Sequence, residues 1–283
     1  MEPIDRFVDV GVRLHIREWI PPAGMASGAA PFLLVHGLAS NARTWDAVAR
    51  ILVLAGHPVV AVDQRGHGLS DKPDDGYDFA TVAADLRRLI ETLGWSRPVL
   101  AGQSWGGNVA LAFGAHYPGL AGQLIFVDGG FLALQQRAPW EQVAAELRPP
   151  PLAGTPRTAL AQRLRTAYPH WPDEGIEATL GNFETLPDGT VRPWLTLERH
   201  MRILRALYDQ RPAELFPLVQ EPVLICVADD GSEWSPRKRA QVAAAQQGLR
   251  RATVAWFPGA AHDIHVDRPG ELAQVFQAAL ATG

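Results

Sequence analysis

Gly102, Gln103, Ser104, Trp105 and Gly106 spell G-x-S-x-G, a serine set between two glycines. An apolar run precedes it from residue 98, and a helical pattern follows it as far as Tyr117, just before Pro118. Read as strand, sharp turn and helix, the stretch holds Ser104 in a strained conformation at the tip of the turn, where the glycines let backbone and helix crowd around it. The hydroxyl then stands at a helix N-terminus, whose unpaired N–H groups and dipole favour developing negative charge. That placement suits nucleophilic attack on a carbonyl. A neutral serine hydroxyl is a poor nucleophile and needs a base within hydrogen-bond reach. Nine histidines supply candidates, and a carboxylate must in turn orient whichever one acts.

The elements that position these residues follow an alternating rhythm. Residues 6–10 and 13–19 read as an edge hairpin around Gly11, and the stretch 21–30 reads as a loop rich in proline, glycine and alanine. Residues 32–35 and 59–62 are continuous apolar runs, as expected of strands buried on both faces. The first delivers His36, Gly37, Leu38 and Ala39. A helix starts near Ser40 or Thr44 with Gly56 as its stop, and a second, capped by Asp78, reaches Leu93 with Leu86, Leu89 and Ile90 on one face. After the serine turn and its helix, residues 123–127 form another strand, ending in Asp128, Gly129 and Gly130. Residues 131–218 break the rhythm: they contain no convincing buried strand, many prolines, and helix-like segments over 140–147 and 197–208. Strand and helix alternation resumes at 223–227, 235–246, 252–257 and 269–281. The pattern predicts an α/β fold whose mostly parallel central sheet is flanked by helices, with a core of residues 1–130 and 219–283 and a helical cap inserted over 131–218.

Composition narrows the partners. The chain has 283 residues, 47% of them apolar, and a net charge of -4. It offers no basic surface for nucleic acid and no polybasic membrane anchor, so a small-molecule substrate is expected. Charged residues from Glu2 to Arg13 speak against an ordinary signal peptide, and no run approaches membrane-spanning length, which sets the expectation of a cytoplasmic protein. The single cysteine, Cys226, lies in an apolar run and reads as a buried thiol. No metal-ligand spacing and no phosphate-cradling loop is present, so the chemistry is expected to be free of cofactors.

Taken together, HGLAS after a strand, DQRGHGLSDKP, GQSWGG, and GAAHDIHVDRP near the end resemble the α/β-hydrolase superfamily over nearly the whole chain outside the cap. The resemblance implies an order of serine, acid and histidine. His262 lies late in the chain in a glycine-alanine loop and matches the base; His265, three residues on, reads as a packing or hydrogen-bonding residue beneath that loop. For the acid the superfamily usually uses the strand end after the cap, matched by Asp230 with Asp229 beside it, although Val227 and Ala228 replace the usual glycine and glutamate there. Some hydrolases of this fold keep the acid directly after the elbow helix and its strand, matched by Asp128. Both positions stand open. The backbone N–H groups of Leu38 and Trp105 are the implied oxyanion donors. His36 reads as a brace for the backbone, His67 as a stabiliser of its glycine-rich turn, and Arg65 as an internal ion-pair residue.

The expected activity is hydrolysis of a carboxylic ester or lactone of a compact, largely apolar molecule through an acyl-enzyme intermediate. Trp140, Trp171 and Trp194 in the cap are candidate walls of its pocket. Two further readings keep the scaffold: C–C bond hydrolysis or acyl transfer on the same residues, and a small-molecule receptor that does no chemistry.

Overall fold

The protein is described by a computed structural model covering residues 1–22, 28–231 and 235–281. Residues 23–27, part of the expected proline- and glycine-rich loop, lie outside the described residues. The edge hairpin is β1 (Ile4–Asp9) and β2 (Arg13–Trp19), turned by Gly11 at φ 89°. Then come β3 (Phe32–Val35), a 3-10 turn over Ala42–Trp45, α1 (Asp46–Leu54) and β4 (Val59–Val62). The next four elements are α2 (Phe79–Thr92), β5 (Val99–Gln103), α3 (Trp105–His116) and β6 (Gln123–Val127).

Between β6 and its sheet neighbour the chain passes through α4 (Trp140–Glu146), α5 (Arg157–Ala167) and α6 (Asp173–Leu180). It continues through β7 (Phe183–Thr185), β8 (Val191–Pro193), α7 (Leu197–Asp209) and the short α8 (Pro212–Leu215). The last elements are β9 (Val223–Asp229), α9 (Ser235–Gly248), β10 (Ala252–Pro258), α10 (Ile264–Asp267) and α11 (Pro269–Ala281).

The main sheet has eight strands in the order β1-β2-β4-β3-β5-β6-β9-β10, parallel from β4 onward and closed at one edge by the antiparallel hairpin. Side-chain alternation divides its apolar runs between two cores. Leu33, Val35, Val60, Val62 and Leu100 face one helical layer; Phe32, Leu34, Val59, Ala61 and Ala101 face the other. Both faces are therefore dry, which is why these strands read as unbroken apolar runs rather than alternating ones.

Residues 131–218, expected as a helical segment with no convincing buried strand, also hold one short hairpin. β7 and β8 form an antiparallel pair, Phe183 opposite Pro193 and Thr185 opposite Val191. Strands of three residues are too short to show a period-two pattern, so the sequence carries no signal for them. Around this hairpin the insertion has its own apolar cluster of Leu160, Trp171, Ile176, Leu180 and Val191, into which Val266 of α10 is packed.

Candidate active site

Strand order reverses at β3, whose neighbours are β4 and β5, so the loops after β3 and β5 diverge and leave a crevice at the carboxyl ends of the strands. Ser104 sits at that crevice on the β5–α3 turn with φ 53° and ψ -120°. Non-glycine residues with positive φ are costly, and of the four among the described residues three lie around this crevice: Ala39, Ser104 and Asp128. Glycines make the crowding possible. A Cβ on Gly102 would collide with the Gly106 carbonyl, and one on Gly129 would collide with the Ser104 carbonyl.

Asp128 follows β6 at φ 46° and turns its carboxylate onto the imidazole of His262, with Nδ1 and Oδ2 2.6 Å apart. The His262 side chain is 51% exposed at the crevice, whereas the Asp128 side chain is 2% exposed. Asp128 Oδ1 also accepts the Ala228 N–H at 3.1 Å, and the Lys238 ammonium of α9 lies 3.0 Å from both carboxylate oxygens. The protein packed about the imidazole disfavours charge on it. The hydrogen bond and charge of Asp128, with Asp263 adding to them and Lys238 opposing, outweigh that and hold His262 above the ordinary histidine range. Asp263 itself is pushed up, by burial first and then, against the pull of His262, by the neighbouring Asp128 and Asp267 carboxylates.

The alternative acid positions fall elsewhere. Asp229 receives the hydroxyl of Ser235 at 2.9 Å and pairs with Arg239, and Asp230 is exposed at the end of β9. Of the open alternatives, Asp128 is the carboxylate in contact with His262. His265 is buried against the Trp45 ring at 4.5 Å, and its two ring nitrogens have no hydrogen-bond partner among the described residues. It packs rather than hydrogen-bonds, and burial drives it down to about 3.

Gly37 presses the loop after β3 against the serine: a Cβ there would come within 3.2 Å of the Ser104 Cβ. The N–H groups of Leu38 and Trp105 donate to no acceptor among the described residues, while the next amide, Ala39 N–H, donates to His67 Nε2 at 3.2 Å. His67 is thereby fixed as the tautomer that donates from Nδ1 to the Arg65 carbonyl at 3.1 Å. His36 is fixed likewise, accepting the Gln64 N–H on Nε2 at 3.1 Å and donating from Nδ1 to the Gly37 carbonyl at 2.7 Å. Burial pulls both rings below the ordinary histidine range, so they hold the loop as neutral braces. Below them Arg65 forms a two-bond pair with the buried Asp85, at 2.5 and 2.8 Å.

Ser104 and His262 line one small cavity of about 180 Å³ together with Leu38, Asn182, Trp171 and Asp263. A larger cavity of about 780 Å³ shares Ala39 and Asn182 with it and runs along the insertion, walled by Pro149 to Leu152, Trp194 and Leu195. Trp171 therefore faces the small cavity and Trp194 the large one. Trp140 lines neither. It packs edge-on against Tyr208 at 5.4 Å with Arg205 over its ring, so its aromatic surface is spent joining α4 to α7.

Three polar residues at the site carry no mark in the sequence. Gln103 donates to Asp263 Oδ1 at 3.1 Å and so ties β5 to the histidine loop. Asn41 donates to Asn182 at 2.5 Å and to the Ala178 carbonyl, fastening the insertion to the loop after β3. Lys238 reaches the site from a helix 134 residues beyond the serine, and only the paired ends of β6 and β9 bring it there. No group of three or more metal-ligating side chains occurs among the described residues.

A sequence profile described as "Alpha/beta hydrolase family" matches residues 32–275. The 2-(acetamidomethylene)succinate hydrolase of Mesorhizobium japonicum is 29% identical over 269 residues, 94% of this chain and 91% of its own length. The crystal structure of an E-2-(acetamidomethylene)succinate hydrolase aligns with a TM-score of 0.81 at 25% identity, covering 99% of each chain. An N-formylmaleamic acid deformylase from Pseudomonas putida S16 shares the fold, with a TM-score of 0.73 at 21% identity over 96% of this chain and 100% of its own.

Proposed function

The chain belongs to the alpha/beta hydrolase family, and from that premise we propose that it is a serine hydrolase acting through an acyl-enzyme intermediate on a small carboxylic ester or lactone. One observation carries the reading: Asp128 is hydrogen-bonded to His262 Nδ1, and the crevice on which that imidazole opens is the one that Ser104 lines. With Nδ1–H held by Asp128, the other ring nitrogen is left as the base. It takes the Ser104 proton as Oγ attacks the substrate carbonyl, and Asp128 stabilises the imidazolium that forms. The oxyanion of the tetrahedral intermediate is received by the Leu38 and Trp105 N–H groups. Collapse expels the leaving group, which takes from His262 the proton that came from Ser104, and a water activated by the same imidazole then deacylates Ser104.

In this reading residues 131–218 act as a cap, and the larger cavity beneath it takes the body of the substrate. Its walls suit a largely apolar molecule. A small-molecule partner and a cytoplasmic setting belong to the same reading; no helix among the described residues is long and apolar enough to cross a membrane.

A second reading is favoured by the similarity to 2-(acetamidomethylene)succinate hydrolase along almost the full length. On it, the same residues cleave a non-ester bond in a carboxylate-bearing compound, and Lys72 and Arg148 in the wall of the larger cavity face the carboxylates. Rapid mixing with a chromogenic acetate ester tests the common mechanism. We expect a burst of alcohol release equal to the enzyme concentration, absent in Ser104→Ala. A panel of apolar esters, lactones, ring-fission diketones and N-acyl dicarboxylates then separates the two readings by kcat/KM. No turnover of any member would overturn both.

A further inference from the structure

Within the catalytic reading just given, we propose that Lys238 is a positioning residue for the reaction: from α9 its ammonium clamps both oxygens of Asp128, aiming that carboxylate at His262 while offsetting part of its charge.

All three hydrogens of the ammonium are committed, to Asp128 Oδ1 and Oδ2 at 3.0 Å each and to the Ala228 carbonyl at 2.8 Å. Asp128 in turn has its two oxygens divided, Oδ2 for the imidazole and Oδ1 for the Ala228 N–H. Lys238 and Ala228 therefore hold the carboxylate by both oxygens while Oδ2 meets the histidine. Because Asp128 stands on a strained residue at the very end of β6, side-chain anchorage is what keeps its aim constant.

Charge gives the clamp a second consequence. The groups facing His262 are Asp128 from the end of β6, Lys238 from α9 through Asp128, and Asp263 from the histidine's own loop, with Asp267 and His265 behind it. Two carboxylates beside one imidazole stabilise its cation, and an imidazole that is already protonated at neutral pH cannot serve as base. Lys238 is the cation that counters them. Its side chain is 22% exposed, so its field is only partly screened by solvent.

The experiment follows the Cε1 proton of His262 by NMR across pH in Ser104→Ala alone and in Ser104→Ala combined with Lys238→Met or Lys238→Arg, so that no turnover is required. Kinetic profiles of kcat/KM against pH are recorded with the serine present. Lys238→Met is expected to move the His262 midpoint and the acid limb of the profile upward by about one pH unit, the size of one charge at this range and exposure. Lys238→Arg should restore most of the wild-type position. Should Lys238→Met fail to fold, Lys238→Gln supplies the same comparison, with an upward shift of the same sign. A midpoint that stays put or moves down in a folded Lys238→Met or Lys238→Gln overturns the assignment. A shifted midpoint in a protein without Ser104-dependent turnover would instead uphold the electrostatic coupling and overturn the catalytic reading on which the proposal rests.

Discussion

Asp128 holds His262 by one carboxylate oxygen, 2.6 Å from Nδ1, and loss of that charge should be felt first in kcat. Ser104 is legible because five adjacent letters enforce a strained turn, and His262 because its loop follows the last strand but precedes the last helix. The carboxylate partner of His262 is not legible. β6 and β9 are parallel neighbours, Val127 opposite Cys226, so both deliver aspartates to the same edge of the sheet. The choice depends on a local twist, φ 46° at Asp128, and on a lysine from a distant helix, neither of which the sequence displays. Asn at position 128 keeps the shape but removes the charge and permits the wrong tautomer of His262. Asp128→Asn is expected to lower kcat by about 10⁴, the loss seen for the equivalent change in a serine triad. Asp229→Asn and Asp230→Asn should remain close to wild type, and steady-state kinetics on the three variants checks this directly. A large loss at position 230 alone would mean that the imidazole swings to the other strand end during turnover.

Among the elements, the turns after β5 and β6 depend on close backbone contact. Gly129→Ala would drive a methyl group into the Ser104 carbonyl, so the two turns must separate. Overpacking of this kind costs about 1–3 kcal/mol, and the expectation is a lowered Tm together with a loss of kcat larger than the stability change alone would produce. The insertion is where element-level reading is weakest. Its helices show in the pattern, but the β7–β8 hairpin does not, and aromatic content alone does not separate Trp171 and Trp194 from Trp140. What separates them is contact: Trp140 is consumed by Tyr208 and Arg205. Trp194→Ala and Trp171→Ala should therefore reorder kcat/KM across a series of short to bulky esters. Trp140→Ala should leave that order intact and lower the melting temperature.

For the whole molecule, the loops that frame the crevice rest on histidines kept neutral by burial, namely His36 and His67 under the serine turn and His265 beneath His262. In the unfolded chain each returns to an ordinary histidine, so below about pH 6.5 the unfolded state binds more protons than the folded one. Stability is fully present above that range and falls as pH drops, by up to about 1.4 kcal/mol per pH unit for each ring still neutral in the fold. Asp63, which burial pushes up but the hydrogen bonds with His15 and from the Leu69 N–H hold down to about 2, adds to the loss once pH falls below the ordinary carboxylate range. Urea unfolding at pH 7.5, 6 and 5 should show a midpoint that decreases at each step, and a flat midpoint would contradict the neutral braces. The nucleophilic role proposed for Ser104 is tested most directly by peptide mass spectrometry after brief exposure to a fluorophosphonate, which should find a single phosphonyl group on Ser104, lost in Ser104→Ala and strongly slowed in His262→Ala. Labelling at another residue, or an unmodified Ser104 in folded protein, would contradict it.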